Sequence, residues 1–433
     1  MNGIGASLPQ EGVGGIGAPT APPLTSGMDS REAVRGVATL PQELIDHIID
    51  FLHTSKAILK HCTLVARAWV PPSRFHLFAR VQLWEGRFSD FLAFVTTCAE
   101  GPQYIRDLTF NGNSPQQDMG SRCAVSPAYL QRMLVHLPRL ECLMLYMTGL
   151  FDDDASVFES MPFLSPPSQA PIRLKSLSMY YYGTPTDRVI DFALVLAVFT
   201  SVGKLHLRHG RFWANHPPTD VPQELADTPR NVFASLPAVQ TLVIDDNASR
   251  TNLLLGAAVR TAGFGGLRAV EIQSRQMWDH AALGALLRAV GPRLEHLSLQ
   301  LSGLCEPDDT EAFVAQAGLA SCTALITLAL LIDASVFHRR ALSWATVSML
   351  VAAVPRGAPV RTVRLLVGLH TLENEVFHPW NPMDEVLERF DHLDTVAFEQ
   401  KQYEVYTEEG KERVRGAFPR VARKANIEFV VGE

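Results

Sequence analysis

At about 150 residues per domain, a chain of 433 residues has room for two or three domains, or one extended one, and for a sizeable core. Apolar residues make up 47% and charged residues 19%, ordinary values for a globular protein, and no uncharged apolar run reaches the ~18 residues of a membrane-spanning helix. With 38 Lys and Arg against 45 Asp and Glu, the net charge is −7 and the basic residues are scattered, which excludes the basic footprint of a nucleic-acid binder; neither nucleic acid nor membrane is an expected partner.

The first 30 residues hold seven Gly and four Pro and no Lys or Arg. Such a stretch buries too little apolar surface to offset its ordering entropy, so residues 1–37 are expected to be a disordered tail. Gly12, Gly14 and Gly17 match a GxGxxG spacing, but no strand precedes them and no acid follows at the right distance, which leaves low-complexity coincidence as the reading. A secretory leader would need a basic start and an apolar block, and neither is present.

From Thr39 the composition changes abruptly. Pro41 suits a first helical turn, with Glu43 and Asp46 placed where a helix dipole favours acids. Leu44, Ile45, Ile48, Ile49 and Leu52 then form one apolar stripe. Thr54 or Ser55 caps a second helix carrying Ile58, Leu59, Cys62, Leu64, Val65 and Trp69, expected to end before Pro71 and Pro72. Roughly 45 residues make a marginal core, and the stripe of Leu40, Pro41, Leu44, Ile48 and Leu52 exceeds what the second helix covers, which points to a partner surface. The simpler alternative is a helical hairpin in the core of the next domain, with Trp69 merely buried there.

Leu40-Pro41-x-Glu43-Leu44-Ile45 with Ile48, Ile49 and Leu52, followed by Cys62-x-Leu64-Val65-x-Arg67-x-Trp69, resembles an F-box. The continuation Pro72-Ser73-Arg74-x-His76-Leu77-Phe78-x-x-Val81-x-Leu83 is similar to the extension of fungal F-box proteins. The resemblance implies a module at 38–83 that docks on the Skp adaptor of Skp–cullin–F-box ubiquitin ligases, and through it on a cullin. The residues it implies for docking are Leu40, Pro41, Leu44, Ile45, Ile48, Leu52, Leu59, Leu64, Val65 and Trp69. Residues 84–100 are read as a connecting helix.

After residue 100 the pattern apolar-x-x-apolar-x-apolar recurs ten times: Ile105/Leu108/Phe110, Leu140/Leu143/Leu145, Leu174/Leu177/Met179, Val202/Leu205/Leu207, Val239/Leu242/Ile244, Leu267/Val270/Ile272, Leu294/Leu297/Leu299, Leu325/Leu328/Leu330, Val360/Val363/Leu365 and Leu393/Val396/Phe398. The last two positions of each copy alternate as in a strand with one buried face. Between copies lie helical faces, clearest in Leu130/Met133/Leu134/Leu137, Leu283/Leu286/Leu287/Val290 and Val347/Leu350/Val351/Val354, the first opened by Ser126-Pro127 as cap and first-turn proline. A strand and a returning helix cannot bury their faces alone, so the units must stack. The copies resemble leucine-rich repeats. The expected fold is thus α/β: an all-α module, then a leucine-rich-repeat-like βα solenoid of about ten units over 101–433 with an inner parallel sheet, closed by a strand at Ile427, Phe429 and Val430.

The family's asparagine position matches at Asn113 and Asn247; Thr148, Ser302 and Asp333 are possible substitutes, and Tyr182, Gly210, Arg275, Gly368 and Lys401 depart from it. A doubly wound α/β domain is the alternative, but the Gly-rich turn that would mark it is missing.

The sequence carries no HExxH, GxSxG, GxxxxGK[ST] or CxxC signature, so no catalytic residue, cofactor or metal is expected. Asp152-Asp153-Asp154, Asp245-Asp246 and Asp308-Asp309 lack the spacing of a calcium loop and read as loop acids; His206 and His209, three apart on a strand, would face opposite ways. Six scattered cysteines, Cys62, Cys98, Cys123, Cys142, Cys305 and Cys322, suit a reducing compartment, cytoplasm or nucleus. Protein recognition is better supplied. Tyr146, Tyr180, His206, Arg208, Glu271, Gln273 and Arg364, with Asp245, Gln300 and Glu399 alongside, fall at outward strand positions and are the candidate substrate-binding residues. Connections at 211–231, with Trp213, and 370–383, with Trp380, are candidate recognition edges. The expected function is substrate receptor of a ubiquitin ligase, with a protein substrate; the alternative is an adaptor-bound scaffold acting outside a ligase.

Overall fold

The structure is a computed structural model. It describes residues 40–84, 87–98, 100–112, 125, 127–146, 172–181, 195–209, 236–245, 262–273, 280–300, 307–332, 344–367, 381–400 and 407–431. The tail at 1–37, the Ser126 cap, all ten asparagine-row positions, Asp152 to Asp154, Asp246 and the connections at 211–231 and 370–380 lie outside the described residues. Two compact units divide the chain, Met1–Ser73 and Arg74–Glu433.

In the first unit, helix α1 (Gln42–Phe51) follows Pro41 and helix α2 (Lys56–Val65) follows Ser55. Ser55 sits at the cap position without a side-chain cap hydrogen bond. α2 ends earlier than its apolar pattern suggests: Ala66 is extended (φ −156°, ψ 155°), and Trp69 belongs to a separate 3-10 turn, Arg67–Trp69. Pro71 and Pro72 then open a third helix, α3 (Val70–Ala79), which runs past Ser73 into the second unit. Proline breaks a helix interior but is tolerated in a first turn, where the amide it lacks has no intrahelical acceptor. Ile45 and Ile49 of α1, and Leu59 and Cys62 of α2, are buried, and both helices pack against the 3-10 turn.

The second unit is built on a twelve-stranded, wholly parallel sheet in sequence order: β1 (Arg80–Trp84), β2 (Asp107–Asn111), β3 (Cys142–Tyr146), β4 (Arg173–Tyr181), β5 (Ser201–His209), β6 (Ala238–Asp245), β7 (Ala269–Gln273), β8 (His296–Gln300), β9 (Thr327–Ile332), β10 (Thr362–Val367), β11 (Thr395–Gln400) and β12 (Asn426–Val431). Helices α4 (Phe88–Thr97), α5 (Pro127–Leu134), α6 (His280–Val290), α7 (Pro307–Gln316), α8 (Trp344–Ala353), α9 (Asn381–Glu388) and α10 (Glu408–Ala417) return the chain between strands. This is a leucine-rich-repeat-like βα solenoid. Asp308 and Asp309 lie in the first turn of α7 rather than in a loop.

Register explains the periodicity. Leu108, Leu143, Leu177, Leu205, Leu242, Val270, Leu297, Leu328, Val363, Val396 and Ile427 lie side by side in one row across β2 to β12. All thirty residues of the ten apolar triplets are buried, as are the three helical faces that pack behind them. β12 closes the sheet through Ile427 and Phe429, the latter stacked on Phe398 at 5.7 Å.

Besides β12, expected as the closing strand, the ten copies omit one strand, β1. Val81 and Leu83 pair with Leu108 and Phe110, and Phe78, Val81 and Leu83 repeat the triplet spacing. The sheet therefore begins at Arg80, inside the stretch read as the close of the helical module. Two strands, β4 and β5, run to nine residues rather than about four.

Candidate functional site

Two surfaces carry the residues singled out for binding. On α1 the apolar stripe is split by helical geometry. Ile45 and Ile49 turn inward, whereas Leu44, Ile48 and Phe51, which fall within about 60° of one another at 100° per residue, are exposed. Of the eleven large apolar side chains exposed among the described residues, seven lie between residues 40 and 65: Leu40, Leu44, Ile48, Phe51, Ile58, Leu64 and Val65. Phe51 is 85% and Leu64 82% exposed. Scattered exposed apolar residues are ordinary, whereas a concentration on one small module is the mark of an interface.

Of the ten residues expected to dock, Leu40, Pro41, Leu44, Ile48, Leu64 and Val65 are exposed, and Leu52 and Trp69 are half-buried. Ile45 and Leu59 are buried side chains that hold the helices in place and present nothing outward. Phe51 and Ile58 are the additions. Phe51 continues the i, i+4, i+7 course from Leu44, a signal present in the sequence.

The second surface is the open face of the sheet, opposite the helices. Strand alternation turns Tyr146, Tyr180, His206, Arg208, Asp245, Glu271 and Gln273 onto it. In register, Tyr146, Tyr180, Arg208, Asp245 and Gln273 form a single row across β3 to β7. The rings of Tyr146 and Tyr180 are 5.5 Å apart, and the His206 ring meets Tyr180 edge-on, also at 5.5 Å. The Arg208 guanidinium lies over the Tyr180 ring at 5.5 Å and pairs with Asp245 at 3.1 Å. Gln273 donates to Glu271 at 2.6 Å. Arg364 stands apart from this group, on β10, and pairs with Glu399 of β11. Thus four of the seven candidates form one cluster, two form a pair, and one belongs elsewhere on the face. Gln300, on β8, is buried.

Burial holds the His206 imidazole below its ordinary value, against an opposing pull from Asp245. Burial raises the Cys142 thiol, with Asp107 of the neighbouring strand adding to the effect. Cys322, fully buried, is pushed up to about 12, far from the range of a reactive thiolate. Among the described residues no group of three His, Cys, Asp or Glu side chains is arranged to hold a metal ion, and no helix is long and apolar enough to cross a membrane.

No protein-family model matches the chain, and no curated protein matches it. Among solved structures it is similar to one described as the crystal structure of the Rad7 and Elc1 complex in yeast, with 12% identity and a TM-score of 0.34 over 95% of this chain and 96% of that one.

Proposed function

We propose that the chain is the substrate-recognition subunit of a Skp–cullin–F-box ubiquitin ligase. In this reading the module read at 38–83 docks on the Skp adaptor through the helices at its core, and the open face of the repeat sheet holds a protein to be ubiquitinated. The observation that carries the reading is the concentration of exposed Leu40, Leu44, Ile48, Phe51, Ile58, Leu64 and Val65 on α1, α2 and their lead-in, together with the F-box-like spacing of those residues. An apolar patch of this kind on a soluble module is stabilised by a partner that covers it. The aromatic and arginine groups on the sheet are of the kind that anchor protein interfaces.

The subunit performs no chemistry of its own in this reading. It raises the effective concentration of substrate lysines near a ubiquitin-charged enzyme held elsewhere in the complex. Affinity capture of the full chain from cell extract tests the assignment: recovery of the adaptor together with a cullin is expected. Recovery of the adaptor without a cullin would favour a scaffold acting outside a ligase, and recovery of neither would overturn both.

A further inference from the structure

Among the described residues, three arginines of the open face each stand beside a carboxylate of the next strand. Arg80 of β1 pairs with Asp107 of β2 at 3.2 Å, Arg208 of β5 with Asp245 of β6 at 3.1 Å, and Arg364 of β10 with Glu399 of β11. A site that reads phosphate offers convergent, uncommitted donors, most often arginine forks aimed at one point. Here each guanidinium has a carboxylate beside it, and the three pairs are spread across the sheet instead of converging. Lys204 is an exposed ammonium beside them, and Asp245 and Glu271 on the following strands oppose any anion brought there.

What the same face offers in one place is uncharged aromatic surface: Tyr146, Tyr180 and His206, ring against ring at 5.5 Å. Met144, half-buried on β3, adds a polarisable side chain between the strands. The phenol hydroxyls and the imidazole supply polar groups without net charge. The Arg208 guanidinium over Tyr180 occupies the cation site that a substrate lysine or arginine would take.

We propose that the Tyr146–Tyr180–His206 shelf binds an unphosphorylated peptide segment of the substrate through an aromatic or large aliphatic side chain laid on these rings. The proposal rests on the receptor reading and names its substrate class: recognition at this shelf does not wait on a kinase. A phosphate placed there would meet paired guanidinium groups and nearby carboxylates, so phosphorylation next to the anchoring side chain weakens binding.

The test uses the purified full chain on an array of peptides, each carrying a central Phe, Tyr, Leu or Ala, and each made with and without a phosphoserine, phosphothreonine or phosphotyrosine neighbour. Selection of the Phe, Tyr and Leu peptides over Ala is expected, with phosphorylated versions bound more weakly. Tyr180→Ala should reduce that binding at least about tenfold, as loss of an aromatic anchor does, and Tyr180→Phe should retain it, with both variants melting like the parent. Preference for phosphopeptides, unchanged binding in Tyr180→Ala, or no selection at all would overturn the proposal. Adaptor capture on the same samples separates the two readings: aromatic-peptide selection without adaptor binding would sink the ligase assignment and leave the shelf standing.

Discussion

Asp384 shows how single side chains tie one repeat to the next. It is buried in α9, and its two carboxylate oxygens accept the backbone amides of Val421 at 2.9 Å and Arg420 at 3.1 Å, where the 3-10 turn before β12 begins. Those amides are the donors that a helix start leaves unsatisfied. Asp384→Ala strands them, and a loss of about 1–3 kcal/mol is expected in urea unfolding. Glu141 acts similarly by charge: it accepts from Lys175 at 2.7 Å and pairs with Arg106 at 3.0 Å. The Lys175 hydrogen bond is the first cause that holds its carboxyl below the ordinary value. A carboxyl lowered in the folded state contributes stability above its unfolded value, and that contribution is lost as pH falls through the folded one. Glu141→Gln should therefore narrow the difference in urea midpoint between neutral and acid pH relative to the parent. Cys322, with its thiol at about 12, should resist iodoacetamide in the folded chain and react only after denaturation, as peptide mapping would show.

Individual elements explain what could and could not be read in advance. The triplets were legible because a strand with one buried face repeats at period two and the next copy must align with it; thirty of thirty proved buried. β1 escaped because Phe78, Val81 and Leu83 follow directly on a helical pattern, and their i, i+3, i+5 spacing was absorbed into the resemblance of the preceding segment. On α1 the apolar residues were legible as a stripe, but which half faces inward was not: Ile45 and Leu44 are neighbours of similar hydrophobicity, and it is Ile45 and Ile49 that are buried, on a helix that packs against the 3-10 turn at Arg67–Trp69. Close approach between helices was likewise invisible. Gly284 of α6 lies so near the end of α7 that an added Cβ would stand 1.8 Å from the Gln316 carbonyl oxygen. The chain then leaves α7 through Gly318 at φ 68°, a left-handed conformation that glycine adopts without a Cβ clash. Gly284→Ala forces α6 and α7 apart, with an expected cost of about 1–3 kcal/mol. Gly416→Ala, where nothing lies within 4 Å, serves as the control in the same thermal melts and should be as stable as the parent or slightly more so, since alanine favours the helix.

At the scale of the whole molecule, the proposed division of labour rests on burial. The second unit spends its apolar residues inward: one continuous core runs from Leu83 to Ile427, and each repeat is covered by its neighbours, the economy of a solenoid. The first unit, among its described residues, leaves most of its large apolar side chains exposed. That contrast is the basis for assigning docking to the helices and substrate holding to the sheet. The aromatic shelf was legible only in part, since alternation places residues on a face, while the ring contacts among Tyr146, Tyr180 and His206 depend on the register of three strands. The most direct measurement is the affinity of the purified Skp adaptor for the full chain and for the Leu44→Asp, Ile48→Asp double variant. Burying two unpaired carboxylates costs several kcal/mol, so binding should weaken by at least about a hundredfold while the melting temperature of the chain stays close to that of the parent. Equal affinity of the parent and the folded variant would contradict the docking assignment.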